Sequence, residues 1–273
     1  MKLFISADME GTAGVTDRDQ VSPDGADYGR CRRLMTEEVN AAILGALEAG
    51  AKEIVVNDAH GSARNLLIEE LHPQAQLISG RPKPHGMMQG IDATVDAVFL
   101  TGYHAAAGTQ NGVLDHTFRG ATVRQIRLGT LVAGEAAFNA ALAGHFKVPV
   151  ALVTGDATAV AQTKRILTQV EAVAVKEPVG RLAARSYSPV EARRRIKEGA
   201  VRALKRAKDL KPFILPRPVM LELDCVNPAM ADQCMMIPGM SRVNATAVAY
   251  KARDAEQAYV LARACLVLAA SVL

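Results

Sequence analysis

The chain has 273 residues, 49% of them hydrophobic and 22% charged, and a formal net charge of +4. That composition excludes a disordered, collagen-like or disulfide-stapled chain, and the length suits one large domain or two modest ones. The basic excess is local, with eleven Lys/Arg and three Asp/Glu in residues 181–211 and a mildly acidic remainder, so a nucleic acid is not an expected partner.

Residues 3–7 form the first apolar run and read as a buried strand that turns polar at Asp8. The chain becomes acidic too soon for a signal peptide. No apolar run reaches the roughly 18 residues of a membrane span, so no membrane is expected either. Cys31, Cys225, Cys234 and Cys265 are scattered without a CxxC pair, which predicts a cytoplasmic protein with free thiols.

A helix is expected over residues 28–49, where Met35, Val39, Ile43 and Leu47 keep helical spacing and Gly50 ends the run. Residues 53–57, 75–79, 97–100 and 148–154 read as further strands. Continuously apolar strands spaced by helix-length segments predict a parallel sheet buried on both faces. The expected fold class is therefore α/β, a three-layer α/β/α arrangement with a mostly parallel sheet, plus a smaller α+β portion. Residues 122–128 alternate like a half-exposed strand, and residues 135–142 read as helical. A strand is expected at 170–179. Ser188-Pro189-Val190-Glu191 then starts a helix running to about residue 209, with serine as cap and proline at the first position. Residues 219–223 and 246–251 read as strands, and 256–273 as a final helix. The expected division is a metal-binding catalytic domain over 1–170 and an α+β portion over 171–273, with interleaving left open.

Ligands of open parallel sheets bind beyond the carboxyl ends of the strands. Past the expected strand ends lie Asp8-Met9-Glu10-Gly11, Asp58-Ala59-His60-Gly61, Gly102-Tyr103-His104 and Gly155-Asp156. Carboxylates and imidazoles recur at this one edge, and that donor set suits zinc or a similar divalent ion. Asp8 and Glu10 would point the same way in an extended strand. They are either a solvated strand end or a pair joined by a cation. His60 and His104, taken singly, are open between structural and ligand roles. His116 is either a loop histidine or an acid/base group oriented by Asp115 or a backbone carbonyl. Glu135 is the only acid between Asp115 and Asp156. It either favours a helix N-terminus or is buried with a partner. Asp156 reads as a helix cap, and His72, His85 and His145 as surface or structural. The basic helix near 193–206 reads as a solvated face or subunit contact, since Tyr187 is the only aromatic near it for stacking on bases.

In order along the chain, Ser6-Ala7-Asp8-Met9-Glu10-Gly11, Asn57-Asp58-Ala59-His60-Gly61, Gly102-Tyr103-His104-Ala105, Leu114-Asp115-His116-Thr117, Gly134-Glu135 and Thr154-Gly155-Asp156 resemble the motifs of the D-aminopeptidases, peptidase family M55. The resemblance implies two Zn2+ per subunit, with Asp8 bridging both. It implies Glu10 and His104 on one ion, His60 and Glu135 on the other, and His116 as the catalytic histidine. It further implies a homo-oligomer, a ring decamer, whose substrates are short peptides with an N-terminal D-amino acid, D-Ala-D-Ala-like, cleaved by metal-activated water. The alternative is a binuclear metallohydrolase of another amide or ester. A peptide-binding protein without turnover is the rival from another class. No P-loop or GxSxG element is present.

Overall fold

The computed structural model describes residues 1–273. In chain order the elements are β1 (Lys2–Ala7), α1 (Tyr28–Glu48), β2 (Glu53–Asp58), β3 (Ala75–Ile78), β4 (Ala97–Tyr103), β5 (Val123–Leu128), β6 (Leu131–Val132), α2 (Glu135–His145), β7 (Val150–Asp156), α3 (Ala157–Ile166), β8 (Glu171–Gly180), β9 (Ala183–Ser186), α4 (Pro189–Lys205), β10 (Val219–Cys225), α5 (Pro228–Cys234), β11 (Ser241–Arg242), β12 (Ala247–Ala252) and α6 (Ala255–Ala269).

Seven strands form the main sheet in the order β3-β2-β1-β4-β7-β8-β9. All pairs are parallel except β8 with β9. The apolar runs of β1, β4 and β7 explain their central place, because both of their faces are covered. Alternation along β1 sends Leu3 and Ile5 toward Val39, Ile43, Ile196 and Ala200 of α1 and α4. It sends Phe4 the other way, into a cluster with Phe138, Leu142 and Tyr259 of α2 and α6. The mostly parallel α/β sheet with helices on both faces is as the sequence predicts.

A second sheet, antiparallel throughout, has the order β11-β12-β10-β5-β6. In β10, Val219, Leu221, Leu223 and Cys225 alternate inward and pack with Tyr259, Ala262 and Cys265 of α6. The two sheets do not part at residue 170. Residues 123–132 give β5 and β6 to the second sheet, while residues 171–186 give β8 and β9 to the first. The alternating pattern at 122–128 is the sequence sign of this exchange. Val123, Ile126 and Leu128 are buried while Arg124 is exposed, the one-sided pattern of an antiparallel sheet covered on one face.

Most other differences lie at element ends. β4 runs past residue 100 to Tyr103, which carries the sheet right up to His104. Helix α4 ends at Lys205, and Ala207–Asp209 continues as a short 3-10 turn. Its basic face is charge-matched: Arg193 pairs with Glu37, Arg194 with Glu191 and Glu198, Lys197 with Glu48, and Arg202 with Glu171. Over Ala255–Val272 the mean hydropathy reaches 1.3, enough by length and composition for a membrane span. In the fold this segment instead lays Ala258, Tyr259, Ala262, Cys265 and Ala269 on the core. His85 is half-buried rather than on the surface, and its Nε2 lies 3.0 Å from Glu256.

Candidate metal centre

The carboxyl ends of β1, β2 and β4 meet at one edge. Strand β1 stops at Ala7, so a turn rather than the strand pleat brings Asp8 and Glu10 together. The turn passes very close to the end of β4. Gly11 N–H donates to Gly102 O at 2.8 Å, and a Cβ on either glycine would run into backbone of the other loop. Gly102 also has φ +68, a value that favours glycine. Asp156 caps α3 as expected, accepting from Thr158 and Ala159 N–H at 3.0 Å each.

Asp8, Glu10, His60, His104 and Glu135 are all buried, and His116 stands over them, partly open. His60 Nδ1 lies 2.9 Å from Glu10 Oε2 and 3.3 Å from Asp8 Oδ1. His104 Nε2 lies 3.5 Å from Asp8 Oδ2 and 3.4 Å from Glu135 Oε1. Asp8 thus stands between two half-sites. In this arrangement Glu10 lies nearest His60 and Glu135 nearest His104, while Glu10, His104 and His116 also come within ligand reach of one another. Glu10 reaches both ways, with Oε2 toward His60 and Oε1 3.7 Å from His116 Nε2, and Glu135 enters as the first residue of α2.

Each histidine is held by its far nitrogen. His60 Nε2–H donates to Val21 O at 2.8 Å, His104 Nδ1–H to Ala105 O at 2.9 Å, and His116 Nδ1–H to Leu114 O at 2.8 Å. A carbonyl can only accept, so those nitrogens carry the hydrogens. In each neutral ring the other nitrogen then turns a lone pair toward carboxylate oxygens, which are also acceptors. Such an arrangement needs a cation or extra protons between the groups. Asp8 Oδ2 and His104 Nε2 are buried and have no hydrogen-bond partner at all. Imidazoles fixed by a carbonyl behind and facing carboxylates in front are the usual surroundings of a bound metal.

The electrostatics agree. Burial and then the Glu10 charge push the Asp8 carboxyl up to about 7. Burial also opposes ionisation of Glu10, but the His60 charge and hydrogen bond outweigh it and hold Glu10 well below the usual carboxylate range. Burial pulls His104 down, yet Glu135 and the other acids raise it to about 10. The cluster therefore gathers protons where no cation stands. His116 goes the other way: burial and then the charge of His104 lower it. The two rings stack with centroids 4.0 Å apart and planes 10° apart. Asp115 does not orient His116. It is turned outward to Arg181, at 2.7 Å.

Glu135 settles the choice left open by its sequence position. It is the first residue of α2, and its side chain faces His104 while Oε1 accepts from Phe118 N–H at 2.5 Å. Three overlapping groups, Asp8-Glu10-His60, Asp8-His104-Glu135 and Glu10-His104-His116, each bring three ligand atoms within reach of one ion, and the first two share Asp8.

A family model described as Peptidase_M55, D-aminopeptidase, matches residues 1–264. The chain belongs to peptidase family M55. Within this family, the D-aminopeptidase of Bacillus subtilis (strain 168) is 36% identical over 260 residues, covering 95% of this chain and 94% of that protein. A solved structure, the Zn-dependent D-aminopeptidase DppA from Bacillus subtilis, described as a self-compartmentalizing protease, matches with TM-score 0.96 and 35% identity. That match covers 99% of this chain and 98% of the other.

This M55 chain carries site features that its sequence motifs do not reveal. Buried Lys176 of β8 donates to the carbonyls of Glu10, Thr12 and Val15, tying down the loop that bears Glu10. A polar chain runs from Tyr259 through Asn139, Tyr103 and Ser6 to the carbonyl of Met87, at 2.7–2.8 Å per step. It fixes the 83–88 loop over the site. A charged residue inside a buried strand, as in Lys176, is the one sequence signal that could have pointed to this support.

Proposed function

We propose that this M55 chain is a zinc-dependent aminopeptidase that holds two Zn2+ per subunit and hydrolyses short peptides with an N-terminal D-amino acid, such as D-Ala-D-Ala. The observation that carries this reading is Asp8 between two half-sites, with acceptor facing acceptor on both sides. The donor set fits zinc, which takes imidazole and carboxylate together. Asp8, Glu10 and His60 would hold one ion, and Asp8, His104 and Glu135 the other. Zinc bound there supplies Lewis acidity and makes water acidic enough to attack at neutral pH. The zinc dependence and D-aminopeptidase activity of the Bacillus subtilis relatives support the same choice.

His116 serves as the proton-transfer group. The Leu114 carbonyl holds Nδ1–H, so Nε2 is the atom that takes up and returns a proton. Its lowered affinity for protons keeps Nε2 free at neutral pH. Phe118, Met87 and Leu266 give the cavity apolar walls beside the cluster.

The self-compartmentalizing relative supports a homo-oligomer, and we extend this to a ring decamer. Helix α6 and the C-terminal residue after it offer Val260, Val267 and Leu273 as exposed apolar surface for such contacts. The four cysteines are buried free thiols, which suits a reducing compartment, and we place the enzyme in the cytoplasm.

The test is hydrolysis of D-Ala-D-Ala and L-Ala-L-Ala before and after chelation and zinc restoration. Cleavage of the D-peptide that chelation abolishes and zinc restores is expected. Bound zinc with neither dipeptide cleaved would instead select a metallohydrolase of another amide or ester.

A further inference from the structure

The cavity that opens onto the acid–histidine cluster measures about 250 Å3, and its outer wall is basic. Arg81, Arg119 and Arg263 line it, together with Lys83. The acids of the same cavity are already engaged. Asp8, Glu10 and Glu135 face histidines, and Asp58 accepts from Asn65 and Leu66 N–H and from Asn65 Nδ2. None of the three guanidinium groups forms a hydrogen bond or ion pair within the chain, whereas Arg193, Arg194 and Arg202 on α4 all have glutamate partners.

The basic wall is also held in place. Lys83 Nζ donates to Asn57 Oδ1 at 2.7 Å and to Asp58 O at 2.6 Å, which anchors the loop bearing Arg81 to the end of β2. Arg263 lies flat against Gly86, so closely that a Cβ there would meet its guanidinium. A planar guanidinium fork with no partner in the chain suits bidentate binding of a carboxylate.

We infer that Arg81, Arg119 and Arg263 form a carboxylate-binding rim that captures the free C-terminus of a short peptide substrate. The inference rests on the aminopeptidase reading and adds a length and end-group selection to it. An aminopeptidase places the substrate's amino end at the reacting centre, so the rest of the peptide must run outward to the rim. The cavity lies just below the usual range of about 300–1,000 Å3 for ligand pockets. A dipeptide or tripeptide ends inside such a space and presents its carboxylate to the arginines. A long chain ends elsewhere and gains nothing from them. The rim therefore favours short, free-acid peptides over longer or end-blocked ones.

The experiment compares D-Ala-D-Ala with its C-terminal amide on the zinc-loaded enzyme and on Arg263→Gln, Arg119→Gln and Arg81→Gln, with zinc content measured for each. In the parent enzyme KM for the acid should be about 10- to 100-fold below that for the amide, the size of a lost charge-assisted contact. Arg263→Gln should raise KM for the acid and shrink the acid-to-amide ratio toward one, and Arg263→Lys should restore part of it. Equal KM values for acid and amide in the parent enzyme would overturn the rim. So would variants that affect both substrates alike. Failure to cleave either peptide with zinc bound would mark the aminopeptidase reading itself as wrong and take the rim with it. Loss of zinc in the arginine variants would show that they act on the metal centre, against the inference.

Discussion

His104 Nε2 faces Asp8 Oδ2 at 3.5 Å, and neither buried atom has a hydrogen-bond partner. On its other side Asp8 presents Oδ1 to His60 Nδ1 at 3.3 Å. One carboxylate thus serves two half-sites, which gives the substitutions at this centre different expected outcomes. Asp8→Ala should lose both metals. His60→Ala should lose one and keep the other, as should His104→Ala for the opposite half. Zinc per chain in the purified variants checks this. Equal metal loss in Asp8→Ala and His60→Ala would contradict a shared Asp8.

His116→Ala should lower kcat by about 100- to 10,000-fold, the range of a general acid–base group. Its Nε2 lies 3.7 Å from Glu10 and 3.8 Å from Glu135, farther than His60 or His104 from their acids. Zinc content should therefore stay near two per chain. A variant that loses zinc in proportion to its activity would make His116 a ligand instead.

Lys176→Met keeps the length of the side chain and removes its donors. The carbonyls of Glu10, Thr12 and Val15 would then be left without that partner. Thr12 O keeps the Val15 N–H at 3.2 Å, so two carbonyls, those of Glu10 and Val15, lose their partner, at about 1–3 kcal/mol each. A fall in Tm of several degrees and faster zinc loss to chelator are expected. Calorimetry and a chelator competition check both.

Glu38 supplies a pH signature. Burial pushes its carboxyl up to about 7, Oε1 accepts from Ala13 N–H at 2.8 Å, and Oε2 has no partner. Its affinity for protons is raised in the folded state, so its contribution is fully present below the unfolded value of 4.5 and is lost as pH rises through 7. Glu38→Gln keeps an acceptor for Ala13 and cannot ionise. Relative to that variant, metal-free parent protein should lose up to about 3 kcal/mol between the two values. Urea unfolding at pH 5 and pH 8 measures it, and parallel pH profiles for the two proteins would contradict the assignment.

Asp8, His60 and His104 were legible because each follows an apolar run, and the sheet edge gathers whatever follows such runs. Their division into two half-sites was not legible. It depends on which way a turn throws Glu10 and on where α2 enters, and neither has a local sequence code. Glu135 and His116 lie off the strand ends. Their residue types allowed a site role, and only the family motifs favoured it. The second sheet was half-visible: the alternation at 122–128 marked a one-sided strand, but its pairing with β10 joins residues about a hundred positions apart. The basic rim left no sequence sign. Arg81, Arg119 and Arg263 come from two loops and a helix, and only folding sets them around one cavity.

Anomalous diffraction at the zinc edge, on crystals of the zinc-loaded enzyme, tests the central claim most directly. Two peaks are expected, one on each side of Asp8, the first beside Glu10 and His60 and the second beside His104 and Glu135. A single peak, or an ion held jointly by Glu10 and His104 with His60 left free, would contradict the two half-sites.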